Sequence, residues 1–350
     1  MVALLNRCRF NPTGGGLSDF VVSSAVTGFL TPAAANAVNG TVYRYAAESA
    51  DRSQWEFGSG AYTSGTTTLA RTTIIASSNA NAKVNFSSAP QVYISPAVED
   101  LWFGRNVIIN GGFTINQRAY ASSGTLAAGA YGHDRWKGGA NGGDYSFTQL
   151  PSNTQVTIAA NKSIIQVVEN VNVVGGTYVL SWSGTAVARV GLNSSTPSGN
   201  FAASPIIITG QNAGTVLSVE FTGANALGGS SLATNTGTLS TVQCEQGTIS
   251  TPFEFRHYGR EFDLCARYFQ KLSVTTIGTF QTAVGQTLHV SIRLFPMRTT
   301  PTVTLTGGAL NNCTITMGGA SPNDVRLDLS SLAAGQTYAI GPNLACDAEL

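Results

Sequence analysis

The chain has 350 residues, 11% of them charged, with a net charge of +1 and 39 glycines. A charged fraction less than half the usual ~25%, with no excess of either sign, leaves no electrostatic case for a nucleic-acid or anionic-membrane partner. The 43% apolar content excludes a disordered chain, and no apolar run approaches the roughly 20 residues that span a bilayer.

In chain order, the opening MVALLNRCRFNP is too short in its apolar part, and too interrupted by Asn6, Arg7 and Arg9, to be a signal peptide. Folding in a cytosol is therefore expected. The five cysteines, Cys8, Cys244, Cys265, Cys313 and Cys346, lack zinc-finger or CxxC spacing and are expected to be free, buried thiols. Short alternating runs follow: TVYRYAAE, QWEFGSGAYT, TLARTTIIASS, KVNFSS and QVYISPA. Strands at intervals of roughly 10 residues with Gly, Ser, Asn and Pro between them predict a β sandwich or barrel over 1–104. TPAAANAVNGT can hold a short helix, with Thr31 as N-cap and Pro32 at the first helical position. A linker or helical turn is expected at SPAVEDLWFGRN.

Residues 105–258 carry TQVTIAA, KSIIQVVENV, GTYVLSWSGTAVARVGL, SPIIITG and TVLSVEFTG. In TYVLSWS, Tyr178, Leu180 and Trp182 share one face, the period of a strand with one side in a core. Eight or more such strands in this length predict a two-sheet jelly roll. Residues 259–350 open with a helix, because Phe262, Cys265, Ala266 and Phe269 fall at i, i+3, i+4 and i+7. Phe262, Cys265 and Phe269 are expected to bury one face of that helix against a sheet, with Arg260 and Arg267 pairing with acids or capping carbonyls. LHVSIRLF, PTVTLTGG, NCTITMGG, DVRLDLSS and QTYAIGP then predict a C-terminal β domain. The fold class is multi-domain all-β.

Chemistry is scarce in this pattern. The three histidines, His133, His257 and His289, are not spaced as metal ligands, and no nucleophile elbow, phosphate loop or calcium loop is present. A glycosidase needs two carboxylates astride a bond, and residues 105–258 offer Asp134, Asp144, Glu169 and Glu220 without a sign that two converge. No catalytic residue, metal or cofactor is expected. Loop aromatics are the stronger signal. Tyr120, Tyr131, Trp136 and Tyr145 lie among small polar residues, a composition that can stack sugar faces; the alternative is that Trp136 and one or two of the tyrosines plug the ends of the sandwich core, and for Trp136 the core is the favoured place.

NVIINGGFTINQRAY, YGHDRW, VQCEQGTISTPFEFR, the RHYGREFDLCARYFQKL stretch and FPMRTTPTVTL occur in that order between about 105 and 305. Together they resemble the motif series of bacteriophage tail-fibre and receptor-binding proteins, departing from it at GGF for GDF and RYFQ for RYYQ. YRYAAESADRSQWEFGSGAYTSGTTTLARTTIIASSN is similar to an N-terminal module of phage structural proteins. The resemblance implies a virion protein assembled in the host bacterial cytoplasm and attached through residues 1–104 to other virion proteins. It further implies a jelly roll similar to carbohydrate-binding modules, a homotrimer, and a host surface glycan as ligand. A head fibre or decoration protein is the alternative, and a depolymerising tailspike a third reading.

Overall fold

A computed structural model describes residues 4–96, 105–273 and 276–350, with the side chains of 276–281 not described. The expected linker around 97–104 lies outside the described residues. The chain divides into two compact units, 1–104 with 251–253, and 105–250 with 254–350. Both are antiparallel β structures, and α1 (Tyr258–Ala266) is the one α-helix among the described residues.

The first unit contains β1 (Arg9–Pro12), β2 (Phe20–Ala25), β3 (Val42–Glu48), β4 (Trp55–Thr63), β5 (Thr68–Leu69), β6 (Thr73–Ser77) and β7 (Gln91–Ile94). The order β3-β7-β1-β2-β5-β4 closes on itself because β3 also pairs with β4, and β6 pairs with β4 beside β5. Closure leaves no free edge along that ring. Phe10, Phe20, Tyr43, Tyr45, Tyr62, Leu69, Phe86 and Val92 fill its core. Glycine makes the tight crossing of β4 possible: a Cβ on Gly60 would sit 1.7 Å from the Ala70 carbonyl oxygen. The expected helix after Thr31 is a single turn. Thr31 does cap it, its Oγ1 accepting from Ala34 N–H at 3.3 Å. Asn36 then takes a left-handed conformation (φ 63°) that cannot continue a helix.

The second unit begins with β8 (Lys137–Gly138), β9 (Tyr145–Gln149), β10 (Thr154–Ile158), β11 (Ile164–Val168), β12 (Gly176–Ser183), β13 (Val187–Gly191), β14 (Ser198–Ala202), β15 (Ile206–Gln211), β16 (Leu217–Thr222) and β17 (Gly237–Gln246). They form two five-stranded sheets, β15-β12-β17-β10-β9 and β14-β13-β16-β11-β8. The chain passes between the sheets in the order of a jelly roll. Tyr178, Leu180 and Trp182 of β12 enter the core between them, with Trp136, Val156, Ile164, Val219, Phe221 and Leu239.

After α1 come β18 (Phe269–Ser273), β19 (Thr276–Thr282), β20 (Thr287–Arg293), β21 (Thr302–Thr306), β22 (Ala309–Asn311), β23 (Cys313–Ala320), β24 (Asp324–Ser331), β25 (Gly335–Ile340) and β26 (Asn343–Asp347). Three-stranded sheets β18-β26-β21 and β19-β25-β22 follow one another along the same three runs of chain, and β20-β24-β23 forms a third sheet. Gly307, Gly308 and Gly341, all at positive φ, bend the runs between β21 and β22 and between β25 and β26. In β20, Leu288, Val290 and Ile292 pack on the core while Thr287, His289, Ser291 and Arg293 are exposed. Val325, Leu327, Leu329, Leu344 and Cys346 are at the centre of that core. All five cysteines are free and buried.

Candidate functional site

The tail-fibre-like motifs between about 105 and 305 contribute residues to one place, the joint between the jelly roll, α1 and β18. Asn110 organises it from a left-handed turn (φ 57°), a conformation asparagine tolerates better than most residues. Its side-chain amide donates to the carbonyls of Ile115 (2.8 Å) and Asp134 (3.0 Å), and its Oδ1 accepts from Ile115 N–H. The Asn110 carbonyl accepts from Trp136 Nε1–H at 2.9 Å, and its own N–H donates to the Glu261 carboxylate on α1. Gln117 reaches the other way, its Nε2–H donating to the Phe269 carbonyl at 2.8 Å.

Three arginines tie the joint together. Arg118 pairs with Asp134 (3.2 Å) and Asp347 (3.1 Å) and lies over the Phe269 ring at 3.7 Å. Arg135, 1% exposed, pairs with Glu349, donates to the Val167 carbonyl and lies over the Tyr268 ring at 3.7 Å. Arg267 and the Tyr268 hydroxyl both bond the Glu169 carboxylate, at 3.1 and 2.8 Å. The expected pairing of Arg267 with an acid is thus present, while Arg260 is exposed. Arg256 donates to the carbonyls of Ile108 and Asn106, and Arg298 to those of Ala348 and Glu349. Each of these cations faces a carboxylate or carbonyl and so is a fastener within the chain.

Burial sets the local proton affinities. His133 hydrogen-bonds the Tyr145 hydroxyl at 2.8 Å, and burial lowers its imidazole to about 4. Burial raises the neighbouring Asp134 carboxyl to about 6, against the pull of Gln117 N–H and Arg118. Glu220 is engaged by Ser163 and Arg189, and Asp144 by Leu126 N–H and Lys162. With Glu169 and Asp134 in the joint, the four acids considered for hydrolysis each have separate partners. Among the described residues, no group of three or more His, Cys, Asp or Glu side chains is placed to hold a metal ion.

The four loop aromatics divide between the interior and half-buried positions. Trp136 is fully buried, stacked on Phe113 at 4.8 Å and edge-on to Phe221 at 5.9 Å. Tyr145 is 1% exposed, and its ring lies 4.5 Å from that of Tyr120. Half-buried Tyr120 donates to the Gly124 carbonyl, and half-buried Tyr131 donates to the Leu350 carbonyl at 2.6 Å beneath the Arg118 guanidinium. The reason is the turn at His133–Trp136, closed by Trp136 N–H to the His133 carbonyl (2.9 Å) with Arg135 at φ 71°. That turn directs Trp136 into the sandwich. Trp136 and Tyr145 therefore have no free ring face to offer a ligand.

The helix also differs from expectation. His257 caps it, its Nδ1 accepting from Gly259 N–H, and Glu261 in the first turn suits the helix dipole. It ends at Ala266, because residues from Phe269 onward pair with β26. Its buried face is Glu261, Cys265 and Ala266, and Phe269 is buried from a strand. Phe262 is 37% exposed, not buried. With Tyr258 (60%) one helical turn before it, Phe262 forms a near-parallel ring pair, centroids 6.3 Å apart at 23°. Phe255 (56%) and the exposed His257, Arg260 and Asp263 lie close by in sequence. The sequence does contain the i, i+4 spacing of Tyr258 and Phe262; assigning Phe262 to the buried face conceals it.

No protein-family model matches the chain, and no curated protein matches it. Similar solved structures include recombinant and wild-type discoidin II of Dictyostelium discoideum, each at 8% identity and a TM-score of 0.20. The alignments cover 69% of this chain and 92% and 91% of those chains. A likeness at that score decides neither fold nor function.

Proposed function

We propose that the chain is a non-enzymatic phage virion fibre protein. It attaches through residues 1–104, assembles as a homotrimer in the host cytoplasm, and recognises a host surface glycan through its outer β structure. One observation carries this reading. The motifs resembling tail-fibre proteins, dispersed over some two hundred residues of sequence, supply the mutually bonded side chains of a single joint. Five unrelated chance matches have no reason to contact one another, whereas the motifs of one architecture do. The tyrosine and phenylalanine strip on α1 replaces the buried Trp136 region as the place for sugar stacking.

The test is binding of the full chain to a glycan array and to host cells, with Tyr258→Ala/Phe262→Ala beside it. The double variant should keep its circular dichroism and bind at least about tenfold more weakly. Wild type that binds no glycan and does not adsorb to cells would exclude the receptor-binding role. An exposed Tyr–Phe pair beside arginine is also the composition of protein–protein hot spots, which favours the head-fibre or decoration alternative as the second reading. Cryo-EM of virions separates the two, since the alternative places the protein on the capsid without glycan binding. Oligosaccharide release from host polysaccharide would instead establish the tailspike.

A further inference from the structure

We infer that residues Asp347–Leu350 form a strap that latches the C-terminal β structure onto the jelly roll, and that this joint opens as a unit while both cores stay folded. The strap takes in the last residue of β26, the central strand of its sheet, and the three residues that follow it. Every residue in it is held. Asp347 pairs with Arg118 at 3.1 Å. Ala348 N–H donates to the Tyr268 carbonyl at 2.8 Å, and its carbonyl accepts from Arg298 Nε–H at 3.0 Å. Glu349 pairs with Arg135, and the Leu350 carbonyl accepts from Tyr131 and from Lys137 at 2.8 Å. Arg118, Tyr131 and Arg135 belong to the segment that leads into the jelly roll and Lys137 to its strand β8, so the strap bridges the two parts directly.

The joint is built unlike the cores on either side. Its buried apolar cluster is Ile109, Ile115, Cys265 and Tyr268, with Leu264 and Leu350 packed on it. The rest is ionic and incompletely satisfied: Arg135 Nε and Glu349 Oε1 make no hydrogen bond, the latter having the Arg118 guanidinium at 3.4 Å. Opening free energy follows buried apolar area, and a partly satisfied buried polar network offsets little of its own desolvation. The joint therefore opens at a lower free energy than the jelly-roll core or the C-terminal core on either side of it.

The cysteines read this out in the intact protein. Cys265 lies in the joint, Cys244 in the jelly-roll core and Cys313 in the C-terminal core, all buried. Alkylation by iodoacetamide under native conditions, followed site by site by mass spectrometry, should label Cys265 faster than Cys244 or Cys313 in wild type. Glu349→Ala, which leaves the Arg135 guanidinium buried without its carboxylate, should raise the Cys265 rate by at least about tenfold and leave the other two unchanged. Tyr131→Phe, which removes one hydrogen bond and no charge, should give a smaller rise confined to Cys265. The strap is refuted if Cys265 does not respond to either variant, or if all three thiols respond together.

Discussion

Arg71 shows how this charge-poor chain uses an ion. Its guanidinium bonds both carboxylate oxygens of Glu56, the carbonyls of Gly16, Ser18 and Val84, and lies over the rings of Phe20 (4.8 Å) and Phe86 (5.4 Å). Burial alone would raise the Glu56 carboxyl, but Arg71, Val84 N–H and the Tyr45 hydroxyl hold it below its usual 4.5. That contribution is present at neutral pH and is lost as pH falls through the lowered value. Arg71→Met leaves Glu56 buried and uncompensated and should cost about 3–5 kcal/mol in urea unfolding. A loss within ~1 kcal/mol would mean that Glu56 is satisfied by its other donors. His133 and Asp134 oppose each other. His133, lowered from 6.5 to about 4, makes the fold less stable as pH falls between those values, because the unfolded chain takes up that proton first. Asp134, raised from 3.8 to about 6, does the reverse, because the folded chain takes up that proton first. Each span corresponds to roughly 3 kcal/mol, so the two nearly cancel. Asp134→Asn should expose the His133 effect as a steeper loss of stability from pH 6.5 to 4. His133→Gln should make the protein relatively more stable toward pH 4, and parallel wild-type and variant curves would disprove both assignments.

At the scale of elements, β4 and α1 carry opposite lessons. β4 alternates at its ends but buries Gly58, Ser59 and Gly60 in succession, and its glycines answer to close neighbours. Gly60→Ala places a methyl group on the Ala70 carbonyl and should lower the melting temperature by several degrees, through a loss of roughly 1–3 kcal/mol. Gly65→Ala, with open space around its Cβ, is the control and should leave the temperature nearly unchanged. For α1, Phe262→Ser should change stability by no more than about 0.5 kcal/mol. The removal of Tyr268, which lies under Arg135 and bonds Glu169, should be severe. A large loss on Phe262→Ser would return that residue to the buried face assigned from its spacing.

For the molecule as a whole, among the described residues, Trp136 and Tyr145 are interior, whereas Tyr258 and Phe262 on α1, like Phe29, Trp55, Phe255 and Phe295 elsewhere, are exposed. Trp136→Ala should destabilise by about 3–5 kcal/mol, and any loss of binding should track the unfolded fraction. The exposed Tyr258–Phe262 pair should show the converse, with binding lost and stability kept.

The all-β class was legible from composition and period-2 alternation, because side-chain direction in a strand depends on local sequence alone. The same holds for the free cysteines and the inward face of Tyr178, Leu180 and Trp182. The helix at Tyr258–Ala266 was visible from its spacing, but not its length, because its end is set by the pairing of Phe269–Ser273 with a strand more than seventy residues away. Trp136 is in the core, the place favoured from the sequence. The sequence could not place Tyr145, since whether an aromatic ring in a glycine-rich loop faces water or protein depends on the turn that aims it and on what lies opposite. The sequence by itself determined the strands, the jelly-roll expectation and the motif order. Only the tertiary structure decided that those motifs form one joint, because long-range ion pairs and ring contacts leave no periodicity along the chain.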